Sequence, residues 1–313
     1  MRQSGQNLLL FLRGVAMGAV DLVPGISAGT IALVTGIYPE LVNSIKSFNL
    51  QAFKVLKSYG LSAAWQHING NFLVILISGI MLSLFSLATL MQFLLATYAL
   101  QLWSFFTGLI VASVIYLLRQ HPIRRIFEGC LFGLGTICAY AISIAPPIVI
   151  DGNYLTMFFA GSIALCAMIL PGISGSFVLL LLGLYPVFIN ALAEIKLGLL
   201  AAFALGGVCG LMLFSRILSW LLDHYRNSVI VTMCGFMVGS LSLIWPWKHV
   251  TPSILNVSDS GVALNAVNLL PIEYSVVTGH DPQIFSCSVA FLAALAIVLI
   301  MQILAARYYQ RAA

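Results

Sequence analysis

Apolar runs of about 20 residues recur along almost the whole of this sequence, and most are apolar on every face. At 1.5 Å per residue such a run matches the ~30 Å hydrocarbon core of a bilayer. Barrel strands do not fit, because they are about 10 residues long and alternate in polarity. A soluble core is equally excluded. Only 7% of the 313 residues are charged and 61% are hydrophobic, against roughly 25% charged in a soluble domain. The expected fold is an all-α polytopic membrane protein. Apolar segments cover 7–23, 24–40, 72–95, 101–118, 126–146, 154–170, 171–190, 198–222, 229–247 and 285–306. They amount to about eight full spans plus two segments, 24–40 and 171–190, that begin at Pro-Gly and are either broken crossings or re-entrant.

Net charge is +5, with the basic residues scattered in short loops. That distribution suits topology signals and not a nucleic-acid surface. If every segment crosses and the N-terminus is inside, the cytoplasmic side receives Arg2, Lys46, Lys54, Lys57, Arg119, Arg124, Arg125, Arg226, Arg307 and Arg311. The opposite side receives the Asp151 turn, Lys196 beside Glu194, and a long acidic loop, 248–284, in which Lys248 is the counterweight to Asp259, Glu273 and Asp281. Both termini are therefore expected to be cytoplasmic. Residues 41–70 read as an amphipathic surface segment. The first apolar stretch carries Arg13 and Asp21, so it is expected to stay in the mature protein. The six cysteines form no C-x-x-C pair and the five histidines are far apart, in expected loops. No metal site and no cofactor are implied.

The chain repeats itself. Residues 24–43 read PGISAGTIALVTGIYPELVN and residues 171–190 read PGISGSFVLLLLGLYPVFIN. At an offset of 147, nine of these twenty positions are identical, among them Pro24/Pro171, Gly25/Gly172, Ser27/Ser174, Gly36/Gly183, Tyr38/Tyr185, Pro39/Pro186 and Asn43/Asn190. Weaker echoes at an offset of 127 pair Gly79 with Gly206, Tyr98 with Tyr225 and Gly108 with Gly235. Two membrane repeats follow, 1–146 and 154–306. Five crossings separate their starts, so the second copy is expected to be inverted, as in many secondary transporters.

The repeated block has a chemical consequence. Proline stops or kinks a helix, so a new helix begins inside the membrane with Ser27 or Ser174 near its N-terminus. The first amides of such a helix lack intrahelical partners and attract anions. Two such ends, with the hydroxyls of Ser27, Thr30, Ser174 and Ser176, could face one phosphate from both sides. The candidate binding residues are thus Arg13, Pro24, Gly25, Ser27, Thr30, Pro171, Gly172, Ser174 and Ser176. Charges inside spans are costly and mark function. Asp21, three residues before Pro24, is the candidate for coupling to a proton or Na+; its counterpart in the second copy is Met168. Arg216 and Glu128 rank below it. Arg216 lies close enough to a span end to snorkel, and Glu128 is placed to pair with Arg124.

The two PGIS…GxYP blocks, their spacing and the hydropathy of the whole chain resemble the bacterial polyprenyl-phosphate transporter family. That resemblance implies a flippase in the cytoplasmic membrane. It would return undecaprenyl phosphate from the outer to the inner leaflet for reuse in peptidoglycan and other envelope synthesis. Its partners would be that lipid and the surrounding membrane lipids. Two alternatives stand beside it. One is a small-anion transporter or channel. The other is a membrane enzyme, since Pro24–Thr30 also looks like the PG-x-S-R-x-x-x-T motif of undecaprenyl-pyrophosphate phosphatases. Here Ala28 and Gly175 stand where that motif has arginine, and no glutamate pair within a span supplies a base. Gly206-Gly207-x-x-Gly210 permits close helix contact, within the protein or between copies in a homo-oligomer.

Overall fold

The computed structural model describes residues 2–22, 27–146, 148, 150–250 and 266–312. Its elements, in order, are α1 (Arg2–Asp21), α2 (Ala28–Val34), α3 (Tyr38–Lys46), α4 (Leu50–His67), α5 (Gly70–Thr97), α6 (Ala99–Gln120), α7 (Ile126–Ile144), α8 (Tyr154–Ile169), α9 (Gly175–Leu181), α10 (Tyr185–Ala193) and α11 (Leu197–Gly239). A 3₁₀ turn (Ser240–Ile244), β1 (Lys248–Val250), β2 (Ala266–Asn268), α12 (Pro271–Thr278) and α13 (Ile284–Ala312) follow. The all-α expectation needs one correction: β1 and β2 pair antiparallel, His249 opposite Val267, inside the long polar segment. Among the described residues, four helices are long and apolar enough to cross a membrane, or five if α9 and α10 count as one bent span.

One of the four is the continuous stretch Leu197–Ile244, 48 residues long. Its 48 residues are enough for two crossings of about 20 residues each. The expected segments 198–222 and 229–247 lie on either side of a kink at Tyr225 (φ −133°, ψ 38°), where two helices meet end to end. Tyr98, between α5 and α6, adopts nearly the same angles, φ −128° and ψ 39°. Two of the histidines assigned to loops, His67 and His224, lie in α4 and α11.

The repeated block folds the same way twice. α2 and α9 have seven residues each, α3 and α10 nine. α2 is closed by Gly36 N–H to Leu33 O (3.2 Å) and Ile37 N–H to Ala32 O (3.0 Å). α9 is closed by Gly183 N–H to Leu180 O (3.0 Å) and Leu184 N–H to Leu179 O (3.0 Å). This is a Schellman stop, and it needs a left-handed residue after the helix. Gly36 (φ +77°) and Gly183 (φ +66°) supply it. Pro39 and Pro186 then sit in the first turn of the next helix, where no amide donor is required. Gly-x-Tyr-Pro is therefore a stop joined to a start, and α9 and α10 meet at 110°. Seven residues rise only about 10 Å, so neither short helix spans a bilayer alone.

Two compact units result: residues 1–89 with 145–229, and residues 90–144 with 230–313. Each draws on both halves of the chain. In the first, α1 packs on α2 and α8 on α9. α1 also lies so close to α5 that a Cβ on Gly14 would stand 2.3 Å from Leu76 O, and one on Gly79 2.3 Å from Phe11 O. α8 and α11 repeat this contact: a Cβ on Gly161 would meet Phe203 O at 2.1 Å, and one on Gly206 would meet Phe158 O at 1.8 Å. These are the same positions shifted by 147 on one helix and by 127 on the other. The Gly206–Gly210 stretch is thus filled by α8, with Gly207 against Leu165 and Gly210 against Ser162. In the second unit α6 is the central helix, packed along α13 with Ile110 fully buried.

The drop in offset from 147 to 127 has a visible cause. Residues 47–69, which include α4, connect α3 to α5, whereas only residues 194–196 connect α10 to α11. α4 is bent at Gly60 (φ +81°) and leaves Leu50, Phe53, Tyr59 and Leu61 exposed beside Lys54 and Lys57.

Candidate substrate site at the two broken helices

α1 ends three residues before Pro24, and α8 ends at Ile169 with Leu170 extended (ψ 128°), the conformation a following proline imposes. Gly172, at φ +84°, turns the chain into α9. Pro24 and Gly25 lie outside the described residues.

The two breaks are neighbours in the first unit. Ser27 is the N-cap of α2 and only 1% exposed. Its Oγ accepts the Gly29 N–H (3.1 Å) and donates to Met168 O (3.1 Å), one turn before Pro171. Gly29 lies against Ile169, where a Cβ would stand 2.4 Å from the carbonyl oxygen. The start of α2 is thereby fixed to the end of α8. Thr30, one residue on, is completely buried, and its Oγ1 has no hydrogen-bond partner. Buried hydroxyls are ordinarily bonded, so this one marks a place where a polar group is wanted.

The two copies are capped differently. The Asp21 carboxylate reaches over the break and accepts the Ala28 N–H. With Gly29 bonded to Ser27 Oγ and the Thr30 N–H to Ser27 O (3.0 Å), the first amides of α2 have partners within the chain. At the second break, Ser174 caps nothing: its Oγ is paired with Ser176 Oγ at 2.9 Å. Met168 supplies no carboxylate there. The unlike residues expected at this position, Asp21 and Met168, thus leave the start of α2 capped by a carboxylate and that of α9 without one.

The remaining candidates scatter. Arg13 is half-buried on α1 and pairs with no carboxylate among the described residues. Arg216 is exposed on α11. Glu128 belongs to the second unit, where its Oε2 accepts the backbone amides of Arg124 (2.8 Å) and Arg125 (3.3 Å) at the start of α7. Sequence reasoning missed a polar chain in the first unit. Lys46 Nζ donates to Ser219 Oγ (2.9 Å), and Ser219 Oγ donates to Asn43 Oδ1 (2.7 Å). The identity Asn43/Asn190 was the available signal. Among the described residues no three His, Cys, Asp or Glu side chains converge as a metal ion would require.

Residues 17–261 match the undecaprenyl phosphate translocase-like family. The chain belongs to this family. It is also 43% identical over 292 residues to a polyprenyl-phosphate transporter of Vibrio cholerae serotype O1, covering 93% of this chain and 95% of that protein. A polyprenyl-phosphate transporter of Staphylococcus aureus is 33% identical over 254 residues, covering 75% of this chain and 85% of that one. No solved structure matches. The family is one of transporters and not of enzymes, which agrees with the absence of the phosphatase arginine at Ala28 and Gly175.

Proposed function

We propose that this protein carries undecaprenyl phosphate from the outer to the inner leaflet of the bacterial cytoplasmic membrane, for reuse in envelope synthesis. The unassisted barrier is the cost of bringing an ionised phosphate into hydrocarbon, many kcal/mol for an unpaired charge. The polyprenyl tail is already solvated by lipid, so the protein need serve only the head group. The observation that carries the proposal is the orphan hydroxyl of Thr30, fully buried beside Ser27 where the two broken helices meet. Thr30, Ser174 and Ser176 would donate to the phosphate, together with the uncapped start of α9. Ser27 would hold the two breaks in register. Arg13 would approach along α1 as a mobile counter-ion, and Pro24, Gly25, Pro171 and Gly172 would create the breaks.

The transport cycle in this proposal uses two repeats of opposite orientation, with about eight crossings and the two bent pairs α2–α3 and α9–α10 at the phosphate. Both termini and residues 41–70 are cytoplasmic and 248–284 is outside. Asp21 takes up a proton or Na+ and in doing so weakens its charge-assisted hold on the Ala28 amide, which couples the cycle to an ion gradient. The test is reconstitution into liposomes with a leaflet-specific readout of undecaprenyl phosphate, and binding compared with undecaprenol. Selective, gradient-dependent movement of the phosphate is expected. Equal binding of the alcohol, or normal binding by Ser174→Ala and Thr30→Val alike, would refute the anion site.

A further inference from the structure

The second unit holds a cavity that the site above does not use. Residues 245–250 follow the 3₁₀ turn. Trp245 donates its indole N–H to Leu269 O (2.8 Å) and Trp247 donates to Pro282 O (2.8 Å). With their nitrogens engaged, the two rings meet edge to face at 5.6 Å. Together with Ser104, Thr107, Phe291 and Leu292 they line a space of about 420 Å³, a size at which small-molecule sites occur. Two of the hydroxyls in its wall are bonded to the backbone: Ser104 to Leu100 O (2.8 Å), Thr107 to Trp103 O (2.9 Å) and Ile244 O (3.2 Å). What the cavity offers a ligand is mainly apolar surface.

A cation stands beside it. Lys248, next to Trp247, is half-buried, donates to Leu243 O, and lies 5.6 Å from the ring centre of Trp103, next to Ser104. It pairs with no carboxylate among the described residues. Of the acids in the same polar segment, Glu273 accepts the Leu270 N–H (3.0 Å) and Asp281 the Gln283 N–H (2.9 Å), and Asp259 lies outside the described residues. An ammonium next in sequence to the cavity's Trp247 and over the ring of Trp103 matches a ligand with an anionic head and an apolar chain.

We propose that this is a second lipid site, in which Lys248 binds the phosphate of a polyprenyl phosphate and the Trp245–Trp247 cavity takes the isoprene units next to it. The choice of lipid rests on the transport function proposed above. With the 248–284 segment outside, this site would meet the lipid in the outer leaflet before the head group reaches the broken helices.

The test uses the full chain in nanodiscs with Ser288, in the cavity wall, replaced by photoreactive benzoylphenylalanine and with radiolabelled undecaprenyl phosphate. Labelling should be competed by unlabelled undecaprenyl phosphate about tenfold or more better than by undecaprenol or phosphatidylglycerol. It should fall by a similar factor in Lys248→Gln, the loss of one bond to a charged group, and persist in Lys248→Arg. Melting temperatures of both variants exclude misfolding. Equal competition by phosphatidylglycerol or the alcohol, or unchanged labelling in Lys248→Gln while the wild type still flips the lipid, overturns the site alone. A wild type that neither labels nor flips the lipid overturns the transport function and this site with it.

Discussion

Thr30→Val separates a binding hydroxyl from a packing one, because the two roles give effects of opposite sign. Thr30 lies on a helix whose neighbours Ile31, Ala32 and Leu33 are also buried, and its Oγ1 has no partner. An unsatisfied buried hydroxyl costs about 1–3 kcal/mol. Valine has almost the same shape, so the substitution opens no cavity and removes that cost. Substrate-free protein should therefore gain about 1 kcal/mol or more, read as a higher melting temperature in detergent. Binding of undecaprenyl phosphate should move the other way. Losing one hydrogen bond to a charged group costs about 1.5–3 kcal/mol, or roughly a 10- to 150-fold weaker Kd. Undecaprenol, lacking the charge, should bind the variant and the wild type alike. Ser27→Ala is the contrast, since it breaks the cap to Gly29 and the bond to Met168 and should destabilise by about 1 kcal/mol. If Thr30→Val lowers the melting temperature, or leaves the affinity for the phosphate unchanged, the hydroxyl serves the fold and the site must lie elsewhere.

Asp21→Asn keeps an acceptor for the Ala28 amide but cannot ionise, so it should fold normally and lose nearly all gradient-driven transport in liposomes; a fully active variant would make Asp21 only a cap. Gly206→Ala and Gly79→Ala should each destabilise by about 1–3 kcal/mol through overpacking against Phe158 and Phe11. Gly133→Ala, with nothing within 4 Å of the new methyl, should change the melting temperature little. Burial pushes the Lys248 ammonium down to about 8. The charge is present below that pH and lost above it, so photolabelling by undecaprenyl phosphate at position 288 should fall as pH rises through about 8 and persist in Lys248→Arg. Single substitutions at His249, Glu273, His280, Asp281 and Cys287 separate their titration from that of the lysine.

The repeated block was legible because its residues are there for backbone reasons that do not depend on partners. A Schellman stop needs a residue at positive φ and a helix start tolerates proline, so the duplication and its Pro-Gly breaks were legible directly. The bend at Gly36-x-Tyr38-Pro39 and Gly183-x-Tyr185-Pro186, inside segments expected to be single, emerged only in the structure. The break at Tyr225 falls in the polar gap expected between segments 198–222 and 229–247, but its exact residue was not legible. Tyrosine is an ordinary helix residue, and α11 continues through the polar stretch Asp223–Arg226 without a glycine or proline to announce a change. Only its match with Tyr98 at the offset of 127 hinted that both positions do something shared. The unequal caps were hidden for another reason. Whether the Ala28 amide bonds to Asp21, or Ser27 to Met168, depends on how a carboxylate and a carbonyl approach across a break, and the second contact joins residues 141 positions apart. Sequence could show that Asp21 has no equal at Met168. It could not show that this difference leaves one helix start already occupied by an anion and the other open. In the proposed mechanism the unequal ends divide the work, with the open amides of α9 offered to the phosphate and Asp21 at α2 as the group that titrates. If both ends carried carboxylates they would repel the head group, and if neither did, nothing at the breaks would be left to titrate during the cycle.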